Sequence, residues 1–171
     1  THHLSNHDLT DCIVSSTIEI TPSIQAAVAD THIANIIWMD HTTPLPIRNL
    51  YATPQTLGTD RLAAVIGAYE EKKQLTGRYA PALVIDAGTA ITYDFINARG
   101  EYLGGNISPG VEMRFKALHQ FTSRLPLTEA EGPHPSIGHS TDTAIRCGVM
   151  DGVRHEIEGF IRSFSVKQSN L

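Results

Sequence analysis

Three short segments set acids, hydroxyls and glycines at spacings suited to phosphate and carboxylate chemistry. In Tyr51-Ala-Thr-Pro54-Gln-Thr-Leu-Gly58-Thr59-Asp60-Arg61 an acid and a base stand together at a predicted helix start. Asp60 can accept a proton, and Arg61 can hold a carboxylate through two parallel N–H bonds. The pair equally fits an acid that complements the helix terminus and an arginine in a surface ion pair. Val84-Ile-Asp86-Ala-Gly88-Thr89-Ala-Ile-Thr92 runs from a strand through a tight glycine turn into another strand. Gly88 would let phosphate oxygens approach the backbone, Thr89 and Thr92 offer hydroxyls, and Asp86 attracts a cation that neutralises phosphate charge. An ordinary hairpin whose Asp and Thr bond the turn fits the same residues. Leu103-Gly104-Gly105-Asn106-Ile107-Ser108-Pro109-Gly110 either admits a ligand or allows dense strand-to-helix packing. Thr141, opening the last helix, is an N-cap or a ligand donor.

The elements that must position these residues are legible as periodicities. Residues 11–16 read as a short buried strand, and Thr21-Pro22 opens a helix with cap and first-turn chemistry. Residues 35–39 form another apolar run, followed by a proline-containing loop through Leu45 and Ile47 towards Tyr51. From Asp60 to about Lys73, Leu62, Val65, Ile66 and Tyr69 recur at helical spacing, with Gly58-Thr59 capping the start. Strands over 82–85, 91–96 and 102–107 make a meander, the first two joined by Asp86-Ala-Gly-Thr89. Ser108-Pro109 reads as a helix start that places Val111, Phe115 and Leu118 on one face. The clearest helix begins near Thr141 and carries Ile145, Val149, Val153, Ile157, Phe160 and Phe164 on one stripe.

Composition narrows the function class. A chain of 171 residues with 41% hydrophobic and 18% charged residues can bury a real core. A net charge of -5, with no stripe of Lys and Arg, argues against a nucleic-acid binder. No apolar run has membrane-spanning length. Cys12 and Cys147 form no C-x-x-C pair, so neither a zinc ribbon nor a disulfide framework is expected, and a reducing cytoplasm is. Thr1-His2-His3-Leu4 lacks a secretion signal's regions and no methionine precedes Met39, so the native start is expected upstream. His2, His3, His7, His134, His139 and His155 read as surface or loop residues rather than ligands, and Met113, Met150 and Phe164 as core.

Taken in order, the Tyr51-to-Arg61 segment, the Asp86-Ala-Gly-Thr-Ala-Ile-Thr hairpin, the double-glycine segment and the Thr141 helix start closely resemble type III pantothenate kinases. The resemblance spans residues 51 to 144. It implies a two-lobed α/β fold of the actin-like, ribonuclease H-like type found in acetate and sugar kinases, with the ligand cleft between lobes. Residues 1–77 would belong to the first lobe and 78–171 to the second. The family's first D-x-G-N-T phosphate loop and later T-G-G segment are not found, so the resemblance implies a fragment. The implied activity is a phosphotransferase with an alcohol acceptor, which phosphorylates pantothenate with ATP in the first step of coenzyme A synthesis. By the same match Asp60 is the general base, and Tyr51, Gly58, Thr59, Asp60 and Arg61 bind pantothenate, Arg61 through its carboxylate. Thr89 contacts ATP, and Asp86 binds potassium or ammonium, with Mg2+ accompanying the nucleotide. Thr141 reaches pantothenate from the neighbouring subunit of a cytoplasmic homodimer. The rival expectations are a non-catalytic regulator on the same fold, or another small-molecule kinase of the superfamily. The retention of Tyr51, Asp60 and Arg61 speaks against the first, and the Gly58-Thr-Asp-Arg61 segment against the second.

Overall fold

Short β-branched runs alternate with proline-bearing loops at the start of the chain, and the computed structural model describes residues 9–16, 19–31 and 33–168. His2, His3 and His7 lie outside the described residues. Strand β1 (Asp11–Val14) pairs in parallel with β2 (Asn35–Trp38) as a two-stranded sheet, and α1 (Pro22–Ala29) connects them. Pro22 sits in the first helical turn, where its missing N–H leaves nothing unsatisfied. Thr21 precedes it as expected, but its hydroxyl meets Ser23 Oγ at 2.8 Å instead of capping a backbone amide. No residue of α1 is buried, and Ile13 and Ile37 are 61% and 51% exposed.

The second sheet has four strands in the order β3-β6-β5-β4: β3 (Arg48–Asn49), β4 (Ala82–Ala87), β5 (Ala90–Ile96) and β6 (Glu101–Pro109). Strands β4 to β6 form the expected antiparallel meander, and β3 adds a short parallel edge beside β6. Two boundaries differ from expectation. Asp86 and Ala87 still pair with Thr92 and Ile91, so the turn narrows to Gly88-Thr89 and Asp86 belongs to the sheet. Strand β6 continues through Ser108 and Pro109 to face Ala90, so the expected helix start there falls instead at Gly110. The Ser108 hydroxyl, which would have capped the helix, donates to Glu156. Pro109 is tolerated because β3 covers only the opposite end of β6, leaving an open edge.

Helix α2 (Thr59–Thr76) covers one face of this sheet, and α4 (Thr141–Gln168) covers the other. The period-2 alternation of strands divides the side chains accordingly. Ala82, Val84, Ile96 and Tyr102 join Leu62, Val65 and Tyr69 of α2, together with Met39, Ile47 and Leu57. Leu83, Ile85, Ile91 and Tyr93 face Val153, Ile157, Phe160 and Phe164 of α4. Phe95 stacks on Phe164 on that side, with ring centroids 5.3 Å apart. The N-terminal part of the α4 stripe, Ile145 and Val149, packs instead on Phe115 of α3 (Val111–Gln120). Met150 packs against the same cluster, whereas Met113, expected in the core, is 44% exposed and lies outside it. Gly77, in the left-handed region at φ 72°, ends α2 and donates its N–H to the Lys73 carbonyl. Among the described residues no helix is long and apolar enough to cross a membrane.

Candidate active site

The N-terminus of α2 gathers the chemistry, since its first turn places Asp60 and Arg61 on different sides of the helix end. Asp60 is exposed, and its Oδ1 accepts the Arg61 backbone N–H at 2.9 Å. This pose folds the carboxylate back over Gly58, where an added Cβ would lie 2.3 Å from Asp60 Oδ1. Gly58 has φ -59°, so the carboxylate, rather than the backbone, demands glycine there. Thr59 accepts a hydrogen bond from Ser15 Oγ at 2.8 Å, which ties the helix end to the segment following β1.

Arg61 points into the protein and is not the surface ion pair that its position allowed. Its Nε donates to both Asp94 oxygens at 3.1 Å and its Nη2 to Oδ1 at 2.5 Å, with both side chains buried. Tyr102 donates to the same Oδ1 at 2.6 Å. The Tyr51 ring lies 5.8 Å from the guanidinium carbon and 6.2 Å from the Tyr102 ring, so two aromatics wall the pair. Burial alone would pull the arginine pKa down, but the hydrogen bonds and charge of Asp94 outweigh it and leave the guanidinium more firmly protonated than usual. Burial and the adjacent Asp94 push the Tyr102 phenol up. Asp94 takes the Nε and one Nη2 N–H of the guanidinium, and Nη1 makes no bond to it.

Asp86 stands opposite Thr92, two residues along β5 from Asp94, so both acids leave the same face of the sheet. Sheet geometry separates such diagonal neighbours by roughly 7–8 Å. Their states differ. Asp94 is neutralised by Arg61, whereas Asp86 is exposed and its carboxylate has no hydrogen-bond partner among the described residues. A hard oxygen donor of this kind suits potassium or magnesium rather than a thiophilic ion. The exposed Thr89 lies at the turn beyond it, and an added Cβ at Gly88 would meet nothing nearer than 3.8 Å. No packing among the described residues therefore requires glycine at 88. Gly105 and Gly110 are different: a Cβ would come within 2.0 Å of the Tyr93 carbonyl and 2.3 Å of the Gly88 carbonyl, respectively. The double-glycine segment is thus a packing device. Gly104, at φ 101°, lies beneath the Tyr51 ring.

A cavity of about 470 Å³ opens beside the α2 terminus, lined by Ser16, Met39, Asp40, His41, Gln55, Thr56, Leu57, Gly58 and Thr59. Asp40 closes a local turn, its Oδ1 accepting from Thr42 N at 2.7 Å and Thr43 N at 3.1 Å. Hydrogen bonds from the Thr42 hydroxyl and backbone hold its carboxyl below the ordinary range.

Tyr51, Gly58, Thr59, Asp60 and Arg61 therefore meet at one helix end, with Asp86 on the adjoining sheet face. Thr141 does not join them. It lines a separate apolar groove of about 770 Å³ between α3 and α4, with Leu118, Leu125, Ile145 and Val149. Nor is Thr141 the helix cap: Ser140 takes that role, its Oγ accepting Thr143 N at 3.2 Å while its own N–H donates to Thr143 Oγ1 at 3.0 Å. The Thr141 hydroxyl is exposed and without a partner among the described residues. Sequence reasoning missed Asp94, Asp40, His41 and Gln55. For Asp94 a signal existed: it is the one acid in the otherwise apolar or hydroxyl-bearing run Ala90–Ile96, and a buried acid needs a partner.

A sequence model of the type III pantothenate kinase family matches residues 1–163. A relative from Bacteroides fragilis named type III pantothenate kinase is 47% identical over 98% of this chain and 66% of its own length. One of the same name from Phocaeicola vulgatus is 50% identical over 92% of this chain and 62% of its own. The chain thus spans slightly under two thirds of the length of these relatives. The crystal structure of a conserved Campylobacter jejuni protein assigned to the Baf family of transcriptional activators shares the fold, with TM-score 0.52 and 21% identity over 88% of this chain and 77% of its own.

Proposed function

The chain belongs to the type III pantothenate kinase family, and on that premise we propose that its parent protein transfers the γ-phosphoryl group of ATP to the hydroxyl of pantothenate. The observation that carries this reading is the α2 terminus, where consecutive residues supply an exposed Asp60 and a buried Arg61 pre-set by Asp94. Arg61 and Tyr51 hold the substrate carboxylate, and Gly58 and Thr59 line its path, so the substrate hydroxyl is brought to Asp60. Asp60 takes the hydroxyl proton as the oxygen attacks the γ-phosphorus and the bond to the departing ADP breaks. Little covalent help is needed in such a transfer, which depends on alignment and on neutralising phosphate charge.

Thr89 is the ATP contact in this reading, supported by its exposure at the turn after Gly88. Asp86 holds a monovalent cation, and Mg2+ accompanies the nucleotide; these ions supply the positive charge that offsets the phosphates. Thr141 belongs to the site of a second subunit, a reading supported by its exposed, unpartnered hydroxyl away from Asp60. We also read residues 1–77 and 78–171 as portions of two lobes of an actin-like fold in a cytoplasmic homodimer. The exposed Ile13 and Ile37, paired on one face of the β1–β2 sheet, support a further layer packed over that face in the parent, while α2 carries a core common to both portions. The likeness to the Campylobacter jejuni protein, at 21% identity, concerns fold alone.

The test is an acceptor screen with the full-length protein and ATP. Product is expected from pantothenate and not from acetate, sugars or polyphosphate. Turnover of one of those in preference, or none with any acceptor in a folded protein that binds ATP, would overturn the assignment.

A further inference from the structure

We propose that His134, Cys147 and Asp151 form a binding site for a thiophilic divalent cation of the zinc type. One ligand atom from each residue lies within 4.8 Å of the other two. Cys147 and Asp151 are four residues apart on α4, so both side chains leave the same face. His134 comes from residues 121–140, a connection without helix or strand that crosses that face. Its Nε2 is 3.5 Å from Asp151 Oδ2. The other carboxylate oxygen, Oδ1, faces Arg154 Nη2 at 3.2 Å, an outer contact that turns Oδ2 inward. Cys147 is buried, with its Sγ 3.0 Å from the Pro135 carbonyl, so the sulfur already faces the segment that carries His134.

The donor set decides the class of ion. A sulfur, an imidazole nitrogen and a carboxylate oxygen suit zinc or a similar borderline-soft ion, not the magnesium or potassium that all-oxygen sites take. Thiolate and carboxylate together balance a dication, and binding releases the thiol proton to solvent. Tetrahedral bonds of about 2.0–2.3 Å need ligand atoms roughly 3.3–3.8 Å apart. The cluster closes to that spacing by an adjustment of about 1 Å, which His134 and Asp151, with side chains 43% and 27% exposed, can make. That exposure also leaves room for water as a fourth ligand. Without a metal the His134–Asp151 contact is too long for a hydrogen bond of ordinary length.

The metal's work is mechanical. Apart from this cluster, Arg146 holds the same connection to α4 by donating to the Glu129 carbonyl at 2.9 Å and the Pro133 carbonyl at 3.1 Å. A bound ion adds a cross-link at the next residue of the helix and fixes the connection along α4. Sequence spacing gave no hint of this, because His134 and Cys147 meet only once the connection has folded back.

The experiment titrates the full-length protein, stripped with a chelator, with Co2+ as an optical probe, and then displaces it with Zn2+. One site with a thiolate-to-cobalt charge-transfer band is expected, lost in Cys147→Ser. In His134→Gln, an exposed position where folding is not at risk, Zn2+ should bind at least ~10-fold more weakly, the loss that even an outer partner causes. Zn2+ should also slow proteolytic cleavage within 121–140 in the wild type and not in His134→Gln. No charge-transfer band in the wild type, an unchanged band in Cys147→Ser, or full affinity in His134→Gln would overturn the site.

Discussion

Replacing Asp94 by Asn removes the counter-ion of a largely buried arginine. The side chains of Arg61 and Asp94 are 7% and 3% exposed, so the screening that makes surface pairs nearly neutral does not operate. Breaking a buried pair by deleting one charge costs about 3–5 kcal/mol. The Asn carbonyl can still accept one of the N–H bonds, which places the expected loss near the lower end, about 3 kcal/mol. Against a total stability of about 5–15 kcal/mol this is a large fraction. Urea unfolding of the full-length protein reads it directly: with a slope of about 1–3 kcal/mol/M, the midpoint falls by about 1–3 M. Arg61→Met combined with Asp94→Leu and Tyr102→Phe should recover most of that stability, because it removes both charges together with the buried phenol that would otherwise lose its acceptor. In the folded fraction of Asp94→Asn the KM for pantothenate should rise more than kcat falls if Arg61 binds the substrate carboxylate as proposed, since Asp94 would then act only by positioning that arginine. A stability loss below about 1 kcal/mol, as for an exposed pair, would refute the reasoning.

Gly58→Ala separates folding from chemistry. Its Cβ would displace the movable Asp60 carboxylate, so stability should change by no more than ~1 kcal/mol while turnover falls by about 10²-fold; circular dichroism and steady-state kinetics check both. Gly110→Ala forces a Cβ against the Gly88 and Thr89 carbonyls, and thermal unfolding should show a loss of about 1–3 kcal/mol together with a raised KM for ATP. Glu156 lies below the ordinary carboxylate range: burial pushes it up, but hydrogen bonds from Ser108, Arg114 and Tyr93 outweigh that. A depressed folded-state pKa means that its stabilisation is complete above the unfolded value of about 4.3 and is lost as pH falls through the lower folded value. Glu156→Gln should therefore lower the urea midpoint near neutrality and flatten its fall below about pH 4.

What the sequence disclosed, and what it withheld, follows the range of the forces involved. The α4 stripe and the Leu62-to-Tyr69 periodicity are local patterns, and the helices formed where those patterns ran. Ser108-Pro109 has helix-start chemistry, yet its hydroxyl is claimed by Glu156, 48 residues away, and strand pairing prevails. Ser140 rather than Thr141 caps α4 because the reciprocal bonds with Thr143 need the spacing that Ser140 has. Asp60 and Arg61 were legible as a pair, but their division of labour was not, since it depends on Asp94, 33 residues further on. Strand β3, two residues long, carries no periodicity at all and exists through its pairing with β6.

The most direct test of the central claim is turnover by Asp60→Asn in the full-length protein, with pantothenate binding measured by calorimetry on the same samples. Retained pantothenate affinity with turnover reduced by about 10²–10⁴-fold is expected of a general base at the α2 terminus. Turnover equal to the wild type would contradict the account, because no proton acceptor would then be needed where Asp60 stands.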